Sequence, residues 1–257
     1  MKVLILYFSG VGSTKKIAEM MGSSLFEHEV EVCSVEEKGV KDFLSYDALI
    51  VGTPTHHVGP AKFLLDYIAD IPVQVVQIPT FVYNTKGLAS CHTNRILAQK
   101  LLAKNLITIY EADYIAPASD GSLIIPSFKR FFLFEKDIEA KVANDCRQFL
   151  ELVASQTGNL VAKLPPKRIS SVINAPNKFG SQFVKLTIHL HEDACKKCDL
   201  CIKNCPYKAI NNGKKGYPVI KKEKCTNCYR CIHHCKARAL GLWKKKKHLK
   251  VLQINRI

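Results

Sequence analysis

Along the first 157 residues, short apolar runs alternate with stretches in which apolar side chains recur every three or four positions. Val3-Leu4-Ile5-Leu6-Tyr7-Phe8 is apolar throughout, as a strand covered on both faces must be. This run and the later ones predict strands over Lys2–Phe8, Glu29–Val35, Ala48–Gly52, Thr80–Tyr83 and Leu106–Tyr110. Helices fit between them at Ser13–Phe26, at Pro60–Ile68 with proline at a favoured first position, at Thr93–Lys104, and from about Glu135 to Gln156. In the last, Ile138, Val142, Cys146, Phe149 and Val153 mark one face, and Gly158 marks the stop. Strands and helices in alternation predict an α/β fold with a doubly wound, parallel, five-stranded sheet.

The pattern changes after residue 157. Residues 158–182 hold Pro165, Pro166, Pro176 and Gly180 among serines and asparagines without periodicity, which reads as a linker. Phe183-Val184-Lys185-Leu186-Thr187-Ile188-His189-Leu190 then alternates apolar and polar, and is expected to be the first strand of a second, smaller domain over residues 183–257. No run approaches the roughly 18 apolar residues of a membrane span, and the opening run reads as a buried strand rather than a signal segment, so a cytoplasmic location is expected.

The second domain carries the most specific motif. Cys195, Cys198, Cys201 and Cys205 lie in CKKCDLCIKNCP; Cys225, Cys228, Cys231 and Cys235 lie in CTNCYRCIHHCK. Three cysteines two residues apart can wrap one face of a cubane cluster, while the fourth, thrown outward by the longer step, completes the other cluster. One [4Fe–4S] is therefore expected on Cys195, Cys198, Cys201 and Cys235, and a second on Cys225, Cys228, Cys231 and Cys205. Zinc suits thiolates too, but its sites use separated C-x₂-C pairs rather than two runs of four. The runs form an internal repeat of about thirty residues, each half a loop plus a short helix. From about residue 186 to 241 the chain resembles the bacterial 2[4Fe–4S] ferredoxins, small α+β proteins, departing from them at Lys236, where they usually carry proline. The remaining cysteines, Cys33, Cys91 and Cys146, are read as small core residues.

At the other end, the first predicted strand runs into Ser9-Gly10-Val11-Gly12-Ser13-Thr14 and then a helix. Glycines and hydroxyl residues there bring backbone N–H groups and the positive helix end against a phosphate. No GxGxxG is present and no acidic residue ends the second strand, which disfavours a dinucleotide and favours a mononucleotide flavin. YFSGVGST resembles the phosphate loop of flavodoxins, and more closely that of flavodoxin–ferredoxin fusion proteins, also called ferrodoxins, with Val11 and Ser13 departing from their Y-F-S-G-T-G-N-T. The whole chain apart from the linker is similar to those fusions. The resemblance implies a flavodoxin-like sheet and FMN, with Thr53, Pro54, Thr55 and His56, and Asn84, Thr85, Lys86 and Gly87, at the isoalloxazine. No stacking aromatic is evident; His56 or His57 could take that place, and a Lys86 aimed at the ring would stabilise its anionic reduced form.

Charge then bears on partners. Residues 1–157 carry 15 Lys+Arg against 18 Asp+Glu, whereas residues 158–257 carry 23 against 4. So basic a second domain should steer an acidic redox protein, a ferredoxin or a reductase, toward the clusters, with Lys244 to Lys247 in the docking surface. It lacks the aromatic interleaving or binding module of a nucleic-acid protein. FMN changes by two electrons and each cluster by one, and no acid–base pair or triad marks a substrate pocket. The expected function is therefore an electron carrier; the alternative is an FMN-dependent reductase or reductive activator of a small acceptor, fed by the clusters.

Overall fold

The computed structural model describes residues 1–37, 39, 43–56, 59–167 and 187–242. Its larger part is a parallel sheet of β1 (Lys2–Tyr7), β2 (Glu29–Ser34), β3 (Ala48–His56), β5 (Ile78–Lys86) and β6 (Leu106–Ile115) in the order β2-β1-β3-β5-β6. The five parallel strands are those expected, and among the described residues the short β4 (Gly59–Pro60) adds a sixth, folding back antiparallel on the end of β3. The chain leaves β1 toward β2 on one side and returns to β3 on the other, which opens a crevice at the carboxyl ends of β1 and β3.

The alternation of side chains along β1 explains the layers. Val3, Ile5 and Tyr7 face α1 (Ser13–Ser24) and α5 (Ile138–Ser155), packing on Ile17, Met21, Val142, Cys146 and Phe149. Leu4, Leu6 and Phe8 face the opposite layer, α2 (Lys62–Asp70) and α3 (Thr93–Leu102), through Leu64, Ile68, Leu97 and Leu101. Cys146 is fully buried, and burial pushes its thiol up to about 12; Cys91 is buried and Cys33 half-buried against the second layer.

Several boundaries differ from the sequence expectation, the strand ends because pairing outlasts hydrophobicity. β3 runs on to His56 and β5 to Lys86 because Thr53↔Asn84 and Pro54↔Thr85 stay in register. Thr53–His56 and Asn84–Lys86 are therefore strand residues, not loop residues. Pro60 sits in β4, so α2 starts at Lys62 instead. β6 continues to Ile115, α5 starts at Ile138, and between them lie a one-turn α4 (Gly121–Ile124) and a 3₁₀ turn (Lys129–Phe132), too short to leave a periodic signal.

The first part of the expected linker is bound to the sheet. Leu160 and Ala162 pack on the α1/α5 side, Lys163 N–H donates to the Thr108 carbonyl at 2.8 Å, and Arg95 Nη1 donates to the Pro165 carbonyl at 2.7 Å. Lys163 thereby pairs one carbonyl on the outer edge of β6.

The smaller unit is made of β7 (His189–Leu190), α6 (Leu200–Lys203), β8 (Ile210–Asn212), β9 (Pro218–Ile220), α7 (Arg230–His233) and β10 (Leu240–Gly241), with β7 pairing β10 and β8 pairing β9. Of the strand expected at Phe183–Leu190, His189 and Leu190 are strand, and residues 183–186 lie outside the described residues, as do Trp243 and Lys244–Lys247. Among the described residues no helix is long and apolar enough to cross a membrane.

Candidate functional site

β1 ends at Tyr7 and α1 begins at Ser13, so residues 8–12 turn over the carboxyl edge of the sheet. Gly12 makes that turn at φ 108°, a left-handed conformation that a side chain would strain. No side chain caps α1, which leaves the first backbone N–H groups of the helix to an anion. The Gly12 N–H donates to Ser9 Oγ at 3.1 Å and closes the loop on itself. Ser13 Oγ donates to the Pro117 carbonyl at 2.7 Å, and Thr14 Oγ1 bonds Thr85 Oγ1 at 2.8 Å, so three strand ends are laced together around the helix start. Beneath them the buried Tyr83 hydroxyl donates to the Thr14 carbonyl at 3.2 Å.

Ser9, Gly10, Val11, Ser13 and Thr14 line a single narrow cavity. Pro54, Thr55 and His56 form its second wall and Thr85, Lys86 and Gly87 its third. Gly12, Thr53 and Asn84 shape it from behind. Gly12 makes the turn, Thr53 Oγ1 accepts the Ala61 N–H at 3.0 Å, and Asn84 links Thr55 Oγ1 at 3.0 Å to Asn94 Oδ1 at 2.9 Å. His56 is set edge-on to Phe8, with ring centroids 6.5 Å apart; His57 lies outside the described residues. Lys86 pairs through its ammonium with the largely buried carboxylate of Asp113. A fourth wall, Pro117 to Asp120, was missed by sequence reasoning. It follows β6 at the same carboxyl edge, so the rule that placed ligands there could have found it. Backbone N–H groups and hydroxyls at one end and a slot between strand ends at the other fit a phosphate ester carrying a flat ring.

The eight motif cysteines surround two cavities. Cys195, Cys198, Cys201 and Cys235 line one; Cys205, Cys225, Cys228 and Cys231 line the other. Each set takes three thiols from one run and the fourth from the other. Burial pushes the Cys201 thiol up to about 11, with Cys235 and Cys195 adding to it. Burial does the same to Cys228, whose neighbours are Cys205 and Cys225, and holds Cys231 well above the ordinary range. Such sets ionise together only around a positive core, and ringing a cavity rather than converging on a point suits a cluster better than a single ion.

The sequence repeat is also structural. α6 and α7 are related by an offset of 30 residues, and so are the left-handed backbones of Lys197, Asp199 and Lys208 with those of Asn227, Tyr229 and Arg238. The outward cysteines match as well, since Ala209 N–H donates to Cys205 Sγ at 3.3 Å and Ala239 N–H to Cys235 Sγ at 3.2 Å. The two sets differ in exposure: Cys228 and Cys231 are buried, whereas Cys198 is exposed.

Buried contacts join the two units. Leu123 of α4 enters the small core of Ile210, Tyr229, Ile232 and Leu240. His233 Nε2 donates to the Ser119 carbonyl at 2.8 Å, and burial lowers the His233 pKa to about 4, which keeps the ring neutral. Phe63 N–H donates to Tyr207 Oη at 3.1 Å beneath edge-to-face rings. The Arg230 guanidinium bonds the Ser9 and Gly10 carbonyls and pairs with Glu36.

Residues 4–118 match the family model of a flavodoxin domain, and residues 194–240 match that of a 4Fe–4S dicluster domain. Among curated proteins, one subunit of an ion-translocating oxidoreductase complex from Vibrio cholerae serotype O1 is 32% identical over 89 residues. That match covers 30% of this chain and 45% of the relative, so the chain spans less than half the length of the curated relative it matches. Similar solved structures include a flavodoxin from the domain Archaea, 16% identical with TM-score 0.44, covering 60% of this chain and 99% of that one. Flavodoxin 2 from Bacillus cereus is 23% identical with TM-score 0.42, covering 59% of this chain and 99% of that one.

Proposed function

Because the chain carries a flavodoxin domain followed by a 4Fe–4S dicluster domain, we propose that it is an electron carrier holding one FMN and two [4Fe–4S] clusters and serving a partner redox protein. The observation that carries this reading is a pair of four-thiol cavities in one small unit, one of them set against the Ser9–Gly10 loop through buried contacts. FMN supplies a two-electron change and each cluster a one-electron change, so a chain holding both can pool or divide electron pairs.

The residues then have definite tasks. The α1 N-terminus with Ser9, Gly10, Gly12, Ser13 and Thr14 would hold the phosphate, and Pro54 to His56 with Thr85 to Gly87 would flank the ring. Cys195, Cys198, Cys201 and Cys235 would bind one cluster, and Cys225, Cys228, Cys231 and Cys205 the other, each outward cysteine tuned by its N–H···S bond. The similarity to a component of an ion-translocating oxidoreductase complex supports electron transfer as the role. Anaerobically purified protein should contain about eight iron, eight sulfide and one FMN. Zinc in place of iron, or no flavin, would overturn the reading.

One observation favours a second reading. A groove of about 900 Å³ runs between the units from His56 to Cys225, floored by Phe63, Tyr67 and Tyr207. A small acceptor bound there would make the protein a flavin reductase fed by the clusters. Steady-state turnover with quinones separates the two readings, since a pure carrier shows no saturable dependence on the acceptor.

A further inference from the structure

Arg230 stands between two cluster-motif cysteines, Cys228 and Cys231, and its side chain leaves its own unit. Nε donates to the Gly10 carbonyl at 2.9 Å and Nη2 to the Ser9 carbonyl at 2.6 Å. Nη1 and Nη2 grip the two oxygens of Glu36 at 2.7 and 2.6 Å, and Nη1 also reaches the Asn204 carbonyl at 3.4 Å. The five N–H groups of a guanidinium thus have five acceptors, in a fork that lysine cannot reproduce. The group lies over the Phe8 ring at 5.4 Å, and its side chain is only 11% exposed.

Two features make this more than an ordinary ion pair. In the 30-residue repeat the counterpart of Arg230 is Leu200, so Arg230 breaks the pseudo-symmetry on the side that meets the Ser9–Gly10 loop. The loop carbonyls that it binds belong to Ser9 and Gly10, whose other sides line the cavity expected to hold the flavin. The approach is close: a Cβ placed on Gly10 would lie 3.6 Å from the Cys228 carbonyl oxygen. The cavity of Cys205, Cys225, Cys228 and Cys231 is thereby the inner one, and that of Cys195, Cys198, Cys201 and Cys235, with exposed Cys198 and exposed Lys196 and Lys197 on its rim, the outer one.

We propose that Arg230, gripped by Glu36, is the positioning residue that locks the cluster-bearing unit onto the phosphate loop, making the inner thiol set the flavin's electron neighbour and the outer set the port to the partner. This rests on the cofactor reading above. An electron moves along the path without any bond being made or broken. A one-electron redox protein delivers or removes it at the port, the inner set relays it, and two successive passages satisfy the flavin site.

The test is the fluorescence of bound FMN in the anaerobic full-length holoprotein, which a neighbouring cluster quenches. Wild type should be quenched, Cys225→Ser should restore emission, and Cys198→Ser should not. Arg230→Gln should restore emission with iron, sulfide and FMN contents unchanged, and Arg230→Lys, which keeps the charge without the fork, should fail to restore full quenching. Glu36→Lys, a change in the other unit that leaves the cysteine loops untouched, should also raise emission, which keeps the test decisive if Arg230→Gln does not assemble. Emission that follows Cys198 rather than Cys225, or that stays at the wild-type level in both Arg230→Gln and Glu36→Lys, overturns the proposal. Protein that lacks FMN or iron and sulfide overturns the cofactor reading instead.

Discussion

Gly52 and Tyr83 are cross-strand partners in the centre of the sheet, and the phenol ring folds over the glycine as it reaches the phosphate loop. A Cβ on Gly52 would lie less than 3.0 Å from the Tyr83 ring and hydroxyl. The ring has nowhere to go. It is fully buried, with Tyr114 edge-on at 6.0 Å and Phe81 at 6.3 Å. Gly52→Ala should therefore cost about 1–3 kcal/mol of overpacking, plus about 1 kcal/mol for the lost bond to the Thr14 carbonyl. At about 2–4 °C per kcal/mol for a unit of this size, the melting temperature should fall by roughly 4–16 °C. Free FMN counted in the filtrate after heating and removal of the protein reports this unit separately from the clusters. Displacing Thr14 should also weaken FMN binding before the unit melts. The discriminating variant is Tyr83→Val, which leaves a cavity and costs about 3 kcal/mol alone. Once the ring is gone, Gly52→Ala should add little, a coupling of about 2–4 kcal/mol in a double-mutant cycle. Additive losses, or a Gly52→Ala protein that melts with wild type, would refute the account of Tyr83 as the prop beneath the loop.

Replacing Cys205 by Ser should remove the EPR signal of the cluster otherwise held by Cys225, Cys228 and Cys231, and leave the other cluster's signal; the opposite pattern would uncross the assignment. Ser9→Ala and Thr14→Ala each remove a hydroxyl bond to a charged phosphate, worth about 1.5–3 kcal/mol, so FMN affinity measured by titration of the apoprotein should drop at least about tenfold. Residues 187–242 hold 12 Lys+Arg against 4 Asp+Glu, so electron transfer with an acidic ferredoxin should slow steeply with salt, from an enhancement of about 10- to 10³-fold. Changing the exposed Lys196, Lys197 and Lys236 to glutamine should flatten that dependence, and a rate indifferent to salt in both proteins would leave the basic face without a role in partner capture.

What was legible in the sequence is what is local in the chain. The loop proposed to hold phosphate occupies six consecutive residues, Ser9 to Thr14, whose glycine and hydroxyl chemistry points to an anion without knowledge of anything else, and the structure puts five of them on one cavity wall. The cysteines go further, because the step of three residues before Cys205 and Cys235 encodes a crossing between runs 30 residues apart, and the cavities follow that crossing. The resemblance, with the strand-end rule, puts Thr53 and Asn84 at the ring. In the structure their polar groups bond Ala61, Thr55 and Asn94, an arrangement that strand register decides and the sequence does not show. Pro117 to Asp120 and the edge-covering residues after Gly158 carry no periodic or motif signal and acquire roles only through contacts made elsewhere in the fold.

Arg230 is the sharpest case. The repeat makes its departure from Leu200 visible in the sequence, yet an arginine in so basic a unit reads as one more solvated charge. Its acceptors on Ser9 and Gly10 lie 221 and 220 residues away, beyond any pattern along the chain. Burying a charge there is tolerable only because Glu36 and three carbonyls receive it together. Such an arrangement penalises every other orientation of the two units, since any rotation that parts Arg230 from the loop leaves a guanidinium, a carboxylate and two carbonyls to be resolvated or left unpaired. A bond network with those costs selects one docking geometry rather than merely favouring association. It selects the one in which the set with buried Cys228 and Cys231 lies by the Ser9–Gly10 loop and the set with exposed Cys198 lies away from it.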